Sequence, residues 1–476
     1  MRPSNSLRIV LLGAATAILA YFGTGLHPIW PLLWLAPVPV LAVSPTLRPG
    51  ATFLIAFVAW FISELNQWSY FTGVLGIPLP IVIAFLVIPA LLFGFGVLFT
   101  RIVLLRGSPI LAALAFPGYW VTCEYLSALS SPHSTFGNLG YTQINFLPLV
   151  QVASVTGIWG LSFLVFLFAS TVAVLATGIG KQSERRALAL SVGALYCLVF
   201  VFGEWRLLTR PVGQAVRITL IAKDVPLSAY LGAEEQAIKL FAEYANEVTR
   251  LSPAGTQVVV LPEKIGRIGE DTLPQVDALF SAAASATHSA IDLGLVRRTS
   301  SGSYNSARFY SPEGKVVANY DKHHLVPGIE PEKPGTARVT LDQRSGRWGL
   351  QICKDMDFPQ LSRAYAGEGA NLLLVPAWDF SLDGWLHSRM AVLRAVENGF
   401  GLARCARNGL LTLADNRGRV LAEKPSSLEN FVSLSGQLSL TTEKTFYTRT
   451  GDWFAWLCVG LFALLLGYRM VSRLRG

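Results

Sequence analysis

The sequence predicts an α-helical membrane domain of about eight transmembrane helices joined to one soluble α/β domain. Three observations carry this. The chain of 476 residues is 52% hydrophobic and only 14% charged, whereas soluble proteins are nearer one quarter charged. The apolar excess is confined to about 1–210 and 453–468. Between these stretches, short β-branched runs alternate with helical ones. The expected domains are therefore 1–210 (seven helices), 211–450 (soluble) and 451–476 (a last helix and tail).

Apolar spans are read at 7–22, 29–43, 51–65, 77–99, 110–126, 147–176 and 187–202, with an eighth at 453–468. The first begins basic, like a signal peptide. Six more spans follow with no evident cleavage site, so it is read as retained. Basic residues alternate between loops. Arg2 and Arg8, Arg48, Arg101 and Arg106, then Lys181, Arg185 and Arg186, and finally Arg469, Arg473 and Arg475 fall on one side. Loops 23–28, 66–76 and 127–146 have no Lys or Arg. Positive loops stay cytoplasmic, which places 211–450 outside the cytoplasm. The net charge of +9 follows from these loops and does not require nucleic acid. Glu64 and Glu124 lie near outer helix ends, either reaching the interface or serving function. The polar, Gly-rich loop 133–143, with Tyr141, is a candidate substrate mouth.

In the soluble part, strands are expected at 218–222, 257–261 and 290–296, with helices 234–250 and 275–286 between them. Runs 307–310 and 316–320 form a hairpin around Pro312-Glu313-Gly314. Strand 348–353, helix 359–367, strand 372–375, helix 386–398 and strands 401–405, 410–414 and 420–422 complete the domain. This alternation implies a sheet covered on both faces, with functional groups at strand ends.

Three charged or nucleophilic residues end apolar runs: Glu263, Lys322 and Cys353. A thiol needs a base or a positive field to become a good nucleophile. Glu263 can take the thiol proton and return it to the leaving group. Lys322 can stabilise a tetrahedral oxyanion, aided by backbone N–H groups after the cysteine. Singly, Cys353 reads first as a structural thiol and Glu263 or Lys322 as a solvated strand end. Cys123, Cys197 and Cys458 lie in apolar runs and Cys405 in a strand-like one, so these read as packing residues. No metal-ligand spacing occurs, and His323-His324 cannot easily serve one ion from one face. No metal or cofactor is expected.

The surrounding strings resemble the nitrilase (carbon–nitrogen hydrolase) superfamily: Leu261-Pro262-Glu263, Tyr304-Asn305-Ser306-Ala307, Tyr320-Asp321-Lys322-His323-His324-Leu325-Val326-Pro327, Ile352-Cys353 and Phe358-Pro359. The order Glu, Lys, Cys, at separations of 59 and 31 residues, fits as well. This resemblance implies a four-layer αββα sandwich with Glu263, Lys322 and Cys353 as its catalytic triad. Together with the spans, essentially the whole chain resembles the bacterial apolipoprotein N-acyltransferases. Leu325–Glu330 is similar to that family's loop after the lysine, making Glu330 a supporting candidate. Gly140-Tyr141-Thr142-Gln143 and 151–157 are similar to its membrane motifs. Trp378-Asp379 and the segment from Arg394 through Glu397 to Gly399 are similar to stretches downstream of its cysteine, the latter orienting the site.

The resemblance implies a two-step reaction. Cys353 takes an acyl group from a membrane phospholipid as a thioester. The α-amine of a lipoprotein's diacylglyceryl-cysteine then accepts it, with no cofactor or nucleic acid. It also implies a multi-pass protein of the bacterial inner membrane, expected as a monomer with its catalytic domain on the periplasmic side. Some neighbours depart from the family pattern. Lys354-Asp355 replaces Tyr-Glu, Leu261 replaces Trp, Ile221-Ala222-Lys223-Asp224 lacks the usual Gln-Gly-Asn, and Phe136-Gly137-Asn138 lacks Pro-Trp. Lys354 is either a positive charge that lowers the thiol pKa or an exposed lysine. Two alternatives stand beside acyl transfer to lipoproteins. One is an acyltransferase or amidohydrolase acting on another amine or amide; the other is a non-catalytic membrane scaffold.

Overall fold

The computed structural model describes residues 5–209, 213–226, 230, 232–441 and 443–474. Arg2 and Arg475, two of the basic residues read as cytoplasmic, lie outside them. The chain divides into two compact units, 1–208 with 450–476, and 209–449.

The first unit is helical. Among the described residues, five helices are long and apolar enough to cross a membrane: Ser6–Gly23, Pro49–Gln67, Leu79–Leu104, Ile158–Thr177 and Gln182–Leu208. Pro109–Ser130 has comparable length, but Pro117, Tyr119 and Glu124 dilute its apolarity. Trp453–Gly467 is a shorter apolar stretch. Two expected spans are interrupted. Span 29–43 becomes Trp30–Leu35 and Val38–Val43, because Pro31, Pro37 and Pro39 remove amide donors and restrict the residues before them. Span 147–176 begins with two single turns, Leu147–Val150 and Ala153–Thr156. Its long helix starts only after Gly157, at φ 66°, a conformation glycine adopts without Cβ strain.

Aromatic rings fill this unit's interior. Trp60 stacks on Phe93 at 4.2 Å, and Trp120 lies 5.5 Å from Trp60. Both helix-end carboxylates turn inward. Gln67 Nε2 donates to Glu64 Oε2 at 3.1 Å. Leu139 N donates to Glu124 Oε1 at 2.9 Å, tying helix Pro109–Ser130 to the polar loop. That loop is packed: Thr135, Asn138, Tyr141, Thr142 and Gln143 are buried. Tyr141 exchanges a 2.6 Å hydrogen bond with Thr135. Gln143 Nε2 donates to Thr142 Oγ1 at 2.7 Å and Gln143 Oε1 accepts from Trp34 Nε1 at 2.7 Å, so in place of an open mouth most of these buried polar groups are paired.

The second unit is a sandwich of two sheets between helical layers. One sheet has the order β13-β1-β2-β4-β5-β6, with β3 on β4. These strands are β1 Gln214–Ala222, β2 Val258–Val260, β3 Arg267–Gly269, β4 Ala290–Thr299, β5 Gly302–Tyr310, β6 Val316–Asp321 and β13 Val432–Leu440. The other sheet has the order β12-β11-β10-β9-β8-β7. Its strands are β7 Thr340–Gln343, β8 Gly346–Leu350, β9 Ala370–Trp378, β10 Gly401–Arg407, β11 Leu410–Ala414 and β12 Val420–Pro425. The period-2 alternation of β1 explains the layering. Val216, Ile218, Leu220 and Ala222 face the core between the sheets, whereas Ile221 packs under helices Glu234–Leu251 and Leu273–Thr287. Helices Pro359–Gly367 and Gly384–Asn398 accompany the second sheet. The β5–β6 hairpin turns at Pro312-Glu313-Gly314 as its sequence predicts, with Ser311 and Lys315 closing it. β3, β7 and β13 were not expected. The first two are short, and β13 alternates Ser and Gly with its apolar residues.

One buried carboxyl carries a stability prediction. Asp292 on β4 is fully buried, and neither oxygen has a hydrogen-bond partner among the described residues. Burial raises its pKa well above the usual carboxylate range, so the folded state retains a proton that the unfolded state loses. Its contribution is therefore most favourable below the unfolded pKa and is lost as pH rises toward the folded one. The loss is about 1.4 kcal/mol per pH unit in that window. Asp292→Asn cannot ionise. Its apparent melting temperature in detergent should exceed wild type at pH 8, with the gap narrowing toward pH 4; a gap independent of pH contradicts this.

Candidate active site

Glu263 and Lys322 are fixed by the strand ends that carry them. After β2 the chain crosses the inner face of β4 at Gly294. A Cβ there would lie 2.2 Å from the Pro262 carbonyl oxygen and 2.7 Å from Glu263 Cα, so only glycine leaves room. Glu263 N donates to Ala377 O of β9 at 3.2 Å, bringing the acid to the second sheet. Lys322 follows β6, its amide donating to Asn305 O at 2.8 Å.

Their side chains meet in a buried array of alternating charge. Lys322 Nζ donates to Glu263 Oε1 and to Glu330 Oε2, each at 2.8 Å. Asn305 Nδ2 bridges the same acids, at 2.6 Å to Glu263 and 2.9 Å to Glu330. Val326 N donates to Glu330 Oε2 at 2.7 Å. Lys264 Nζ lies 2.8 Å from Glu330 and 2.9 Å from Glu332. Burial opposes the Lys322 charge, but Glu263 and Glu330 outweigh it and hold the ammonium protonated. Burial likewise opposes the Glu330 carboxylate, yet Lys322 and Lys264 bring its pKa down to about 2. That depressed acid contributes stability above its unfolded pKa, and the contribution is lost as pH falls toward 2.

Cys353 lies beyond the end of β8 and opens the turn Cys353–Asp357. Its φ is 43°, a left-handed conformation that costs an L-residue on the order of 1–3 kcal/mol. Its Sγ is 3.6 Å from the carbonyl oxygen of Trp378. Burial and Glu263 push the thiol pKa well up, while Lys322 and Arg404 pull it down. The resting group is thus a neutral thiol whose proton needs a base. This corrects the expectation that Lys354 lowers the thiol pKa. Lys354 is neither exposed nor among the main charges acting on the sulfur. Its buried ammonium lies 3.5 Å from Asp357 and 5.8 Å from the Phe358 ring.

Asp355 is a brace. Its Oδ2 accepts from Tyr320 Oη at 2.6 Å and from Ile352 N at 3.1 Å. Its Oδ1 accepts from His324 N at 2.9 Å. One buried carboxylate thus fastens the residues flanking Lys322 to the turn holding Cys353. Asp355→Ala leaves these donors unsatisfied, at about 1–3 kcal/mol for each buried group. It is expected to lower the melting temperature by several degrees and to slow turnover roughly 10-fold or more. Asp355→Asn, which keeps an acceptor oxygen, should lose less; an unchanged melting temperature in the Ala variant contradicts the bracing role.

Three further residues were expected at the site. Glu397 is buried on helix Gly384–Asn398, paired with Arg394 at 3.1 Å. Trp378 offers its carbonyl to the thiol, and Tyr141 belongs to the other unit. Sequence reading passed over Asn305, Lys264 and Glu332 as site residues. It also missed the buried Asp379–Arg404 pair, joined at 2.9 Å and 2.5 Å. The one available signal was Lys264 itself, a lysine directly after the acid in an otherwise apolar stretch.

The fold agrees with the sequence comparisons. Residues 223–442 match the carbon-nitrogen hydrolase family model, and residues 11–171 match that of the apolipoprotein N-acyltransferase N-terminal domain. A curated apolipoprotein N-acyltransferase of Geobacter metallireducens is 27% identical, covering 99% of this chain and 96% of its own. Its counterpart in Allorhizobium ampelinum is 27% identical over 89% and 84%, and that of Haemophilus ducreyi 24% over 91% and 92%. Among solved structures, a carbon-nitrogen hydrolase from Helicobacter pylori G27 is 19% identical with a TM-score of 0.41, covering 50% of this chain and 94% of that one. The αββα unit, with an apolar helical unit in the same chain, defines a membrane-bound member of the carbon–nitrogen hydrolase superfamily. The paired matches, spanning both units, go further. Over nearly its whole length the chain is similar to the apolipoprotein N-acyltransferases.

Proposed function

We propose that the chain transfers a fatty acyl group from a membrane phospholipid to the α-amine of the diacylglyceryl-cysteine that begins a lipoprotein. The observation that carries this is the buried Lys322 ammonium shared by Glu263 and Glu330. An ammonium has three N–H donors, and two are spent on these acids. The third is left for an oxyanion, while Glu263 keeps one oxygen for proton transfer.

In the first half-reaction Glu263 takes the Sγ proton as the sulfur attacks the phospholipid ester carbonyl. Lys322 stabilises the oxyanion. The C–O bond to glycerol then breaks, Glu263 returns the proton to that oxygen, and a lysophospholipid leaves. In the second half the lipoprotein amine attacks the thioester, Glu263 takes its proton, and the C–S bond breaks. The amide departs and the thiol is regenerated. One thiol used twice implies ping-pong kinetics. The alternation of basic loops supports an orientation with 211–450 on the periplasmic face of the inner membrane, and the reaction needs one copy of the chain.

Purified protein mixed with phospholipid should gain the mass of one acyl chain. A diacylated lipopeptide should then discharge it, gaining that chain as an amide. Ammonia release from an amide with no acyl adduct overturns this reading in favour of a hydrolase. An adduct that only other amines discharge overturns the assigned acceptor.

A further inference from the structure

Arg407 ends β10, in register with Trp378 of β9, whose carbonyl oxygen is the 3.6 Å neighbour of Cys353 Sγ. Its guanidinium carbon lies 3.4 Å from the centre of the Trp378 ring and 5.4 Å from that of Tyr230. Arg407 is fully buried, yet Nε, Nη1 and Nη2 all lack a hydrogen-bond partner among the described residues. Arg404, on the same strand, is clasped by Asp379. The contrast is physical: a buried guanidinium without acceptors costs several kcal/mol. Cation–π contacts return only about 0.5–2 kcal/mol. Burial accordingly pulls the Arg407 pKa down to about 10.

A second arginine faces the same aromatic frame. The guanidinium carbon of Arg267, on β3, is 5.9 Å from the Tyr230 ring. Arg267 is half-buried and has no carboxylate partner among the described residues. Tyr230 itself meets Trp378 edge-on at 5.3 Å. The acids that bear on this group are committed elsewhere. Glu263 is bonded to Lys322, Glu332 to Lys264, and Asp224 accepts from Asn408 N. Two guanidinium groups with no carboxylate partner among the described residues, framed by Tyr230 and by the Trp378 whose carbonyl touches Cys353, match a tetrahedral dianionic or monoanionic oxyanion group, which arginine binds through paired N–H donors.

We propose that Arg407 and Arg267, framed by Tyr230 and Trp378, bind the phosphodiester of the phospholipid acyl donor. This rests on the acyl-transfer reading above and names the group that selects its donor. In a phospholipid, one glycerol unit separates the reacting ester from the phosphate. In the protein, Trp378 touches both groups, its carbonyl oxygen 3.6 Å from the sulfur and its ring centre 3.4 Å from the Arg407 guanidinium carbon.

The test uses the full chain in detergent micelles and compares two acyl donors. One is phosphatidylethanolamine; the other is the p-nitrophenyl ester of the same fatty acid, which has no phosphate. The readout is the ratio of the two acylation rates, followed by intact mass. In Arg407→Met and Arg267→Met the preference for phospholipid should fall roughly 10- to 100-fold, with Arg407→Lys in between. If Arg407→Met misfolds and reacts with neither donor, the half-buried Arg267 decides through its own variant. An unchanged ratio in Arg267→Met and in a folded Arg407→Met overturns the subsite while leaving the acyl-transfer reading intact. A wild-type protein acylated by the ester but never by phospholipid overturns both.

Discussion

Cys353→Ala is expected to take up no acyl group from phospholipid and to transfer none to a lipopeptide, while remaining folded. The first half follows from the chemistry. Of the five cysteines, only Cys353 stands where Glu263, Lys322 and Arg404 all act on the sulfur. Cys405 is buried between the sheets, where its Sγ donates to the Ile221 carbonyl. Without a nucleophile there is no thioester, and the ping-pong reaction has no first half. The second half follows from packing. Cys353 Sγ is partly buried and touches the Trp378 carbonyl only loosely, so its removal costs about 1 kcal/mol or less. Alanine has the same Cβ at φ 43° and adds no strain. Intact mass after incubation with phospholipid and a melting curve in the same detergent check the two halves together. A variant that still gains an acyl chain places the nucleophile elsewhere.

How far the sequence reveals this site depends on which forces put each residue there. Glu263, Lys322 and Cys353 were legible because each ends an apolar run, and strand ends are where an α/β sheet presents chemistry. The layering was legible from the alternation of β1 and the helical period of Glu234–Leu251. Asn305 and Lys264 were not, because their importance comes from meeting residues dozens of positions away. Nothing local marks Asn305 as the bridge between Glu263 and Glu330. Asp355 shows the same limit from the other side. The sequence marks it only as a departure from the family string, whereas its partners are Tyr320, Ile352 and His324. In the membrane unit the apolar spans were legible as composition. Their breaks at Pro37 and Gly157 depended on proline and glycine effects that a hydropathy window averages away.

Lys322→Met is expected to abolish acyl transfer and to destabilise the soluble unit at the same time. The ammonium is the shared partner of Glu263 and Glu330, both buried. Removing it leaves two carboxylates bridged by Asn305 alone, with Lys264 reaching only Glu330. Breaking a buried ion pair from one side costs about 3–5 kcal/mol, unless one acid takes up a proton. The loss should therefore be greatest at high pH and shrink as the medium is acidified. The sign follows from the charge: without Lys322 the folded state binds a proton more readily than the unfolded chain, so its stability falls as pH rises. Activity should fall on the order of 1000-fold or more, because the oxyanion loses its cation and Glu263 its fixed geometry. Stability and chemistry separate in the double variant Lys322→Met with Glu330→Gln, which removes one cation and one anion together. That variant should recover much of the melting temperature while acyl-enzyme formation stays undetectable. Recovery of the rate along with the fold would show that Lys322 only neutralises buried charge, leaving the oxyanion to the backbone after Cys353.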